Sequence, residues 1–134
     1  MSAESHESVE IRSSADVVAV RQATRALAER VGFSLVDQTK LVTAASELAR
    51  NTITYGGGGS VRLEVVENGA RRGVRLSFED QGPGIQDVTL ALKDGYTSGQ
   101  GLGLGLGGAR RLVNDFTIES APGSGTRVVI ARWR

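Results

Sequence analysis

The sequence predicts an α+β, two-layer sandwich, with helices on one face of a mixed, mostly antiparallel sheet. Three observations predict it. Two amphipathic helical patterns follow one another between residues 13 and 55, two alternating strands flank an Asn-Gly turn between residues 61 and 78, and a second strand pair around a Pro-Gly turn follows residue 115.

Each element has its own local signal. Val9 and Ile11 begin a short strand. Ser13 and Ser14 then offer N-cap oxygens to a helix whose stripe Val17, Val20, Ala23/Thr24, Leu27 and Val31 is spaced three and four apart, and Gly32 ends it. A second helix spans about Ser34 to Tyr55, with Leu41, Ala44/Ala45, Leu48 and Thr52 on one side, and the glycines at 56–59 stop it. Residues 61–66 and 74–78 alternate apolar with polar around Asn68-Gly69, as a hairpin does. An irregular stretch from Gln81 to Gln100 precedes a helix over about Gly103 to Asn114. Residues 116–119 and 128–133, turned by Ala121-Pro122-Gly123-Ser124-Gly125, complete the sheet.

Composition bounds the function without naming it. A chain of 134 residues with 40% apolar content and two prolines fits one domain, 1–134, with a single core and a flexible segment over 1–8. Absence of cysteine excludes disulfides and thiolate metal sites and suits a reducing, cytoplasmic setting. No apolar run reaches the roughly 18 residues of a membrane span, and the N-terminus is too acidic and polar for a signal peptide. Sixteen basic and fifteen acidic residues give a formal charge of +1, so no bulk field favours nucleic acid or membrane. Glycine deviates most, at 18 of 134 residues against an ordinary share of about 7%.

Three short motifs carry chemistry. Glu47 and Asn51 stand four apart on the second helix and share a face, where a carboxylate and a neutral amide oxygen can converge. An exposed polar pair has the same spacing, but Asn is a poor mid-helix residue unless its amide has a task. Asn carbonyl oxygen suits magnesium, which takes the rest of its shell from water and substrate phosphates. Asp80 ends a strand beside Gly82, Pro83 and Gly84, which also fits a plain exit turn. The run Gly101-Leu102-Gly103-Leu104-Gly105-Leu106 opens a helix, where bare N–H groups and the helix dipole favour phosphate. Gly103-x-Gly105-x-x-Gly108 matches the dinucleotide fingerprint, but residues 94–100 lack the strand that must precede it. No Walker A sequence exists, since the only lysines are Lys40 and Lys93.

In order and wording, Ser46–Asn51, Glu79–Ile85 and Gly101–Leu112 resemble the N, G1 and G2 boxes of the GHKL superfamily, which includes gyrase, histidine kinases and MutL. The likeness runs from about Val9 to Trp133 and is strongest to the small protein serine kinases that act as anti-sigma factors and stress-signalling switches. It implies the Bergerat ATP-binding fold, with ATP and Mg²⁺ as cofactors. It further implies Glu47 as catalytic carboxylate, Asn51 as Mg²⁺ ligand, and Asp80 as acceptor of the adenine amino group. Gly82 and Gly84 would let the backbone pass the base, and Gly101 to Leu106 would hold the phosphates. Residues 86–100 would be a short ATP lid with hinges at Gly95 and Gly99 and with Lys93 within it. Gly125-Thr126 matches the later G-T element, whose Thr helps to read adenine. The implied function is phosphorylation of a serine on a STAS-domain partner and, on release, activation of a PP2C-type phosphatase. Two alternatives stand beside it: an anti-sigma kinase that sequesters a sigma factor, and a non-catalytic ATP-binding module.

Overall fold

A computed structural model describes residues 2–84 and 105–134. In chain order the elements are β1 (Ser2–Ile11), α1 (Ser14–Val31), α2 (Leu35–Thr54), β2 (Gly59–Asn68), β3 (Arg71–Asp80), α3 (Gly105–Arg111), β4 (Asp115–Ser120) and β5 (Thr126–Trp133). The five strands form one sheet in the order β1-β2-β3-β5-β4. Every pairing among the described residues is antiparallel, which corrects the expectation of a mixed sheet. The hairpin β4-β5 folds back with its second strand inward, so β5 meets β3 head to tail and no parallel neighbour arises.

Alternation along the strands separates the two faces. Val61, Leu63 and Val65 of β2, Val74, Leu76 and Phe78 of β3, and Val128 and Ile130 of β5 point to the helices and form one core with Leu27, Leu41, Leu48 and Ala109. The other face is polar. There Glu64 is buried beneath Arg75, whose Nη2 lies 3.0 Å from it, and Arg62.

Helix α2 packs against both α1 and α3 as well as the sheet. Residues 44–49 of α2 are all buried. An ordinary amphipathic helix exposes its polar side; this one is covered nearly all round at its middle, as a central helix must be. Its N-cap is Ser34, whose side chain accepts from Asp37 N. At the start of α1, Ser13 is the N-cap as expected, and Asp16 at the third helical position completes a capping box. Asp16 Oδ2 accepts the N–H groups of Arg12 (2.8 Å) and Ser13 (3.1 Å), and these backbone hydrogen bonds hold its carboxyl below the ordinary range. Gly32 closes α1 with φ +91°, donating to the carbonyls of Ala28 and Glu29.

Two other boundaries shift. Strand β1 begins at Ser2 instead of Val9, and its residues before Val9 pair with β2 except at Glu4, where the register shifts. Their polar side chains hid a strand held by main-chain bonds at a sheet edge; exposed His6 stands opposite Glu64. Helix α3 stops at Arg111, short of the expected Asn114. The chain there is tied to β5: Arg132 Nη1 donates to Leu112 O (2.8 Å), and Asn114 Oδ1 accepts from Trp133 N (2.8 Å). Among the described residues no helix is long and apolar enough to cross a membrane.

Arg132 also fixes α2, because its Nη2 donates to Asp37 Oδ1 at 2.7 Å. That hydrogen bond holds the Asp37 carboxyl below its ordinary range, against the opposing effect of desolvation. A depressed folded-state value means the stabilisation is present above the unfolded-state value and lost as pH falls through the folded one. Asp37→Asn should therefore lower the melting temperature at pH 7, and its deficit relative to the unmutated protein should shrink once pH falls below about 3.9. Arg132→Met, which also strands Leu112 O, should cost more, roughly 3–8 °C at pH 7 by thermal denaturation. A deficit for Asp37→Asn that stays constant down to pH 3 would contradict the ion-pair account.

Candidate active site

The centre of α2 places Glu47 and Asn51 one turn apart. Glu47 is 8% exposed. A carboxylate that deep needs a partner, and Arg50 Nη1 donates to its Oε1 at 3.0 Å. Oε2 accepts no hydrogen bond among the described residues. Asn51 is half-buried, and its side-chain amide bonds to no described residue. Its backbone carbonyl receives the N–H groups of Tyr55 (3.0 Å) and Gly56 (3.4 Å), which close the last turn of the helix at Thr54.

From that helix end the chain passes straight to Asp80. A Cβ on Gly56 would lie 2.4 Å from Asp80 Cγ, and one on Gly82 would lie 2.7 Å from Gly56 Cα. A Cβ on Gly125 would lie 2.3 Å from the Asp80 carbonyl oxygen. Three loops thus converge on one acid, and each does so through a glycine, because any side chain would fill the space. Asp80 Oδ1 accepts from Gly82 N at 2.9 Å, which fixes the carboxylate, while Oδ2 accepts none among the described residues. Gly84, at φ +79°, lies against the Ala121 carbonyl oxygen and pins the start of the following segment to the β4-β5 turn.

Register brings in Thr126. It pairs with Asp80 across β3 and β5 and with Ser120 across β5 and β4, on the helix-facing side. Ser120 Oγ donates to Gly125 O (3.1 Å) and lies 2.8 Å from Thr126 Oγ1, so the threonine hydroxyl is held from behind. Asp80, Gln81, Ser120, Gly125 and Thr126 line part of a cavity of about 410 Å³.

Of the expected site residues, Glu47, Asn51, Asp80, Gly82, Gly84 and Thr126 fall on α2, its continuation to Gly56, and the adjoining sheet end. Gly105 and Leu106 open α3, which packs on α2; Gly105 has φ +67° and Leu106 is buried. Gly101, Leu102, Gly103 and Leu104 lie outside the described residues, as do the expected lid over 86–100 and Lys93. Sequence patterning missed Gly56, read only as a helix stop, as well as Arg50 and Ser120. For Gly56 a signal existed: four successive glycines exceed what ending a helix requires.

Fit to the implied metal and nucleotide can be judged from these groups. Among the described residues no cluster of three or more His, Cys, Asp or Glu could cage a cation. One unengaged Asn amide beside a nucleotide suits magnesium, which needs few protein ligands when phosphates supply the others. The glycine-walled acid with one unengaged oxygen suits a flat base bearing an amino group.

Comparison with known proteins gives the family and supports the fold. Residues 36–134 match the family described as histidine kinase-, DNA gyrase B-, and HSP90-like ATPase. The chain is 42% identical over 125 residues to the serine/threonine-protein kinase RsbT of Bacillus subtilis, covering 93% of this chain and 94% of that one. It is 27% identical over 121 residues to the anti-sigma F factor of Clostridium novyi, covering 84% and 82% respectively. Among solved structures, the RsbU and RsbW domains of Rv1364c from Mycobacterium tuberculosis superpose with a TM-score of 0.65 at 22% identity, covering 97% of this chain and 32% of that one. The mycobacterial sensor histidine kinase MprB superposes with a TM-score of 0.57 at 19% identity, covering 96% and 97%. At these identities the two structures speak to the fold alone.

Gly56 and Gly57 offer a paired test of the cradle. A Cβ on Gly57 meets nothing within 4 Å, although its φ of +73° makes Ala strained. Gly57→Ala should cost roughly 1–2 kcal/mol of stability and leave adenine-nucleotide affinity nearly unchanged. Gly56→Ala must displace the Asp80 carboxylate and should weaken that affinity by on the order of tenfold or more, the loss of one buried hydrogen bond to a charged group. Calorimetric titration with ATP of both folded variants decides it, and equal affinities would remove Gly56 from the site.

Proposed function

The chain belongs to the histidine kinase-, DNA gyrase B-, and HSP90-like ATPase family, and on that premise we propose that it is an ATP-dependent protein serine/threonine kinase acting on a STAS-domain partner. The observation that carries the proposal is Glu47: a carboxylate buried in the central helix, one oxygen engaged by Arg50 and the other without a partner among the described residues, one turn from Asn51. A binding module has no use for such an acid. The 42% identity to a serine/threonine-protein kinase over almost the whole chain supports the same choice.

The proposed roles are those that the family resemblance implies. Asp80 Oδ2 accepts from the adenine amino group, and Thr126, backed by Ser120, completes the contact to the base. Gly101 to Leu106 hold the phosphates. Asn51 would hold Mg²⁺, which when bound neutralises phosphate charge. The seryl oxygen attacks the terminal phosphorus of ATP, the bond from that phosphorus to the bridging oxygen breaks, and ADP leaves. The seryl proton passes to Glu47 Oε2. Positioning and charge neutralisation supply most of the rate in such transfers.

In cellular terms the protein is a switch: it phosphorylates its STAS partner, is released, and activates a PP2C-type phosphatase. Identities of 27–29% to anti-sigma F factors favour one second reading, sequestration of a sigma factor by the same ATP site. Mixing the protein with STAS, sigma-factor and phosphatase candidates, with and without Mg-ATP, separates the two by complex size. The switch reading expects phosphate on the STAS serine, weaker STAS binding afterwards and phosphatase engagement. Tight sigma-factor binding without phosphatase engagement in any nucleotide state would overturn it.

Division of labour within α2 gives a further test. Asn51→Ala should abolish Mg²⁺-dependent ATP binding, whereas Glu47→Ala should keep binding and lose phosphoryl transfer by on the order of 10²-fold or more. Calorimetry with labelled-phosphate transfer measures both. Equal loss of binding in the two variants would sink the assignment.

A further inference from the structure

Arg50 stands between Glu47 and Asn51 in sequence and touches the acid. Its side chain is 54% exposed, against 11% for Glu47, so the guanidinium covers the carboxylate from the solvent side. Only Nη1 is engaged; Nε and Nη2 make no hydrogen bond or ion pair among the described residues. As a stabilising device the pair is weak, since an exposed arginine at i,i+3 contributes little to a helix.

Chemistry supplies a better reason for a cation here. A carboxylate that takes the seryl proton must approach the phosphoryl group being transferred, and both are anionic. Charge on that group spreads over its peripheral oxygens during transfer, and the finished phosphoserine carries about −1.5 to −2 at neutral pH. Without a neutralising group the base would repel what it serves. A guanidinium can meet a carboxylate with one N–H and phosphate oxygens with others, because its donors lie in a planar fork.

We infer that Arg50 acts on both sides of the transfer. One N–H holds Glu47 Oε1 and leaves Oε2 for the incoming hydroxyl, while the exposed N–H groups take the oxygens of the seryl phosphate as it forms. No atom passes to or from Arg50. The inference rests on Glu47 being the base.

The test compares the unmutated protein with Glu47→Ala, Arg50→Ala, Arg50→Lys and the double variant Glu47→Ala/Arg50→Ala. The assay is single-turnover transfer from ATP to the STAS-domain partner that co-purifies with the tagged protein, alongside ATP affinity and melting temperature. Arg50→Ala is expected to lose on the order of 10²-fold in transfer rate, the scale of one lost donor to developing charge, with ATP affinity and melting temperature unchanged. Arg50→Lys should recover only part of the rate, because an ammonium cannot fork. Added guanidinium ion should raise the rate of Arg50→Ala. The double variant should be no slower than Glu47→Ala, since residues that act as a unit are not additive.

The failures are distinguishable. If Glu47→Ala is inactive while Arg50→Ala transfers at the unmutated rate, the inference about Arg50 falls and the assignment of Glu47 stands. If Glu47→Ala transfers normally, both fall. Loss of ATP affinity or melting temperature in both Arg50 variants would make Arg50 a structural residue and overturn the inference.

Discussion

Burial of α2 between α1, α3 and the sheet is the constraint from which the rest of the structure follows. Leu41, Ala44, Ala45, Leu48 and Ala49 give the helix its dry contacts. The three alanines let neighbouring elements approach closely, and Gly107, Gly108 and Ala109, all buried on α3, allow the same from the other side. A helix so enclosed has almost no face on which to place a charge at low cost. Glu47 is charged and sits there nevertheless, with Arg50 as its only described hydrogen-bond partner. Local stability alone would favour an apolar residue or a neutral amide at that position. Sites that violate the local rules of folding are where function is to be sought.

The same helix sets the second half of the site through its end. Because α2 terminates at Thr54, one turn beyond Asn51, Gly56 arrives against Asp80 without an intervening side chain. Gly82 and Gly125 then crowd in from two other loops. The consequence is mechanical as well as steric. Helix end, strand end and β4-β5 turn cannot move apart independently, since each is in van der Waals contact with the acid or its neighbour. Arg132 performs the corresponding task at the other end of α2, joining its first turn to β5 and to the residue after α3. A helix fixed at both ends holds its middle at a constant distance from the sheet, and phosphoryl transfer asks for that kind of positioning.

The fold was largely legible because its signals are periodic. The stripe of α1, the alternation of β2 and β3 and the turn at Asn68-Gly69 each report a face that must be buried. What escaped was held by forces without a side-chain signature. Residues Ser2 to Ser8 form a strand through main-chain pairing with β2, and no propensity rule marks a polar edge of this kind. The end of α3 is decided by Arg132 and Asn114, groups whose partners lie on distant elements. Within the site, the acid, the amide and the glycines were legible as motifs. Gly56, Arg50 and Ser120 were not, because their importance comes from contacts that only the folded chain creates.

Ser120 shows how such a contact bears on base recognition. Its hydroxyl donates to the Gly125 carbonyl, so its 2.8 Å contact with Thr126 is best filled by the threonine donating. A hydroxyl has one proton. Thr126 would then face the cavity as an acceptor, and Asp80 Oδ2 beside it can only accept as well. Two acceptors side by side match a base whose edge carries an amino group or a bridging water, and disfavour one that presents a carbonyl oxygen there. On the proposed assignment of Asp80, preference for adenine would be a property of the β4-β5 hairpin as much as of that acid, because it would depend on which way the proton between Ser120 and Thr126 points.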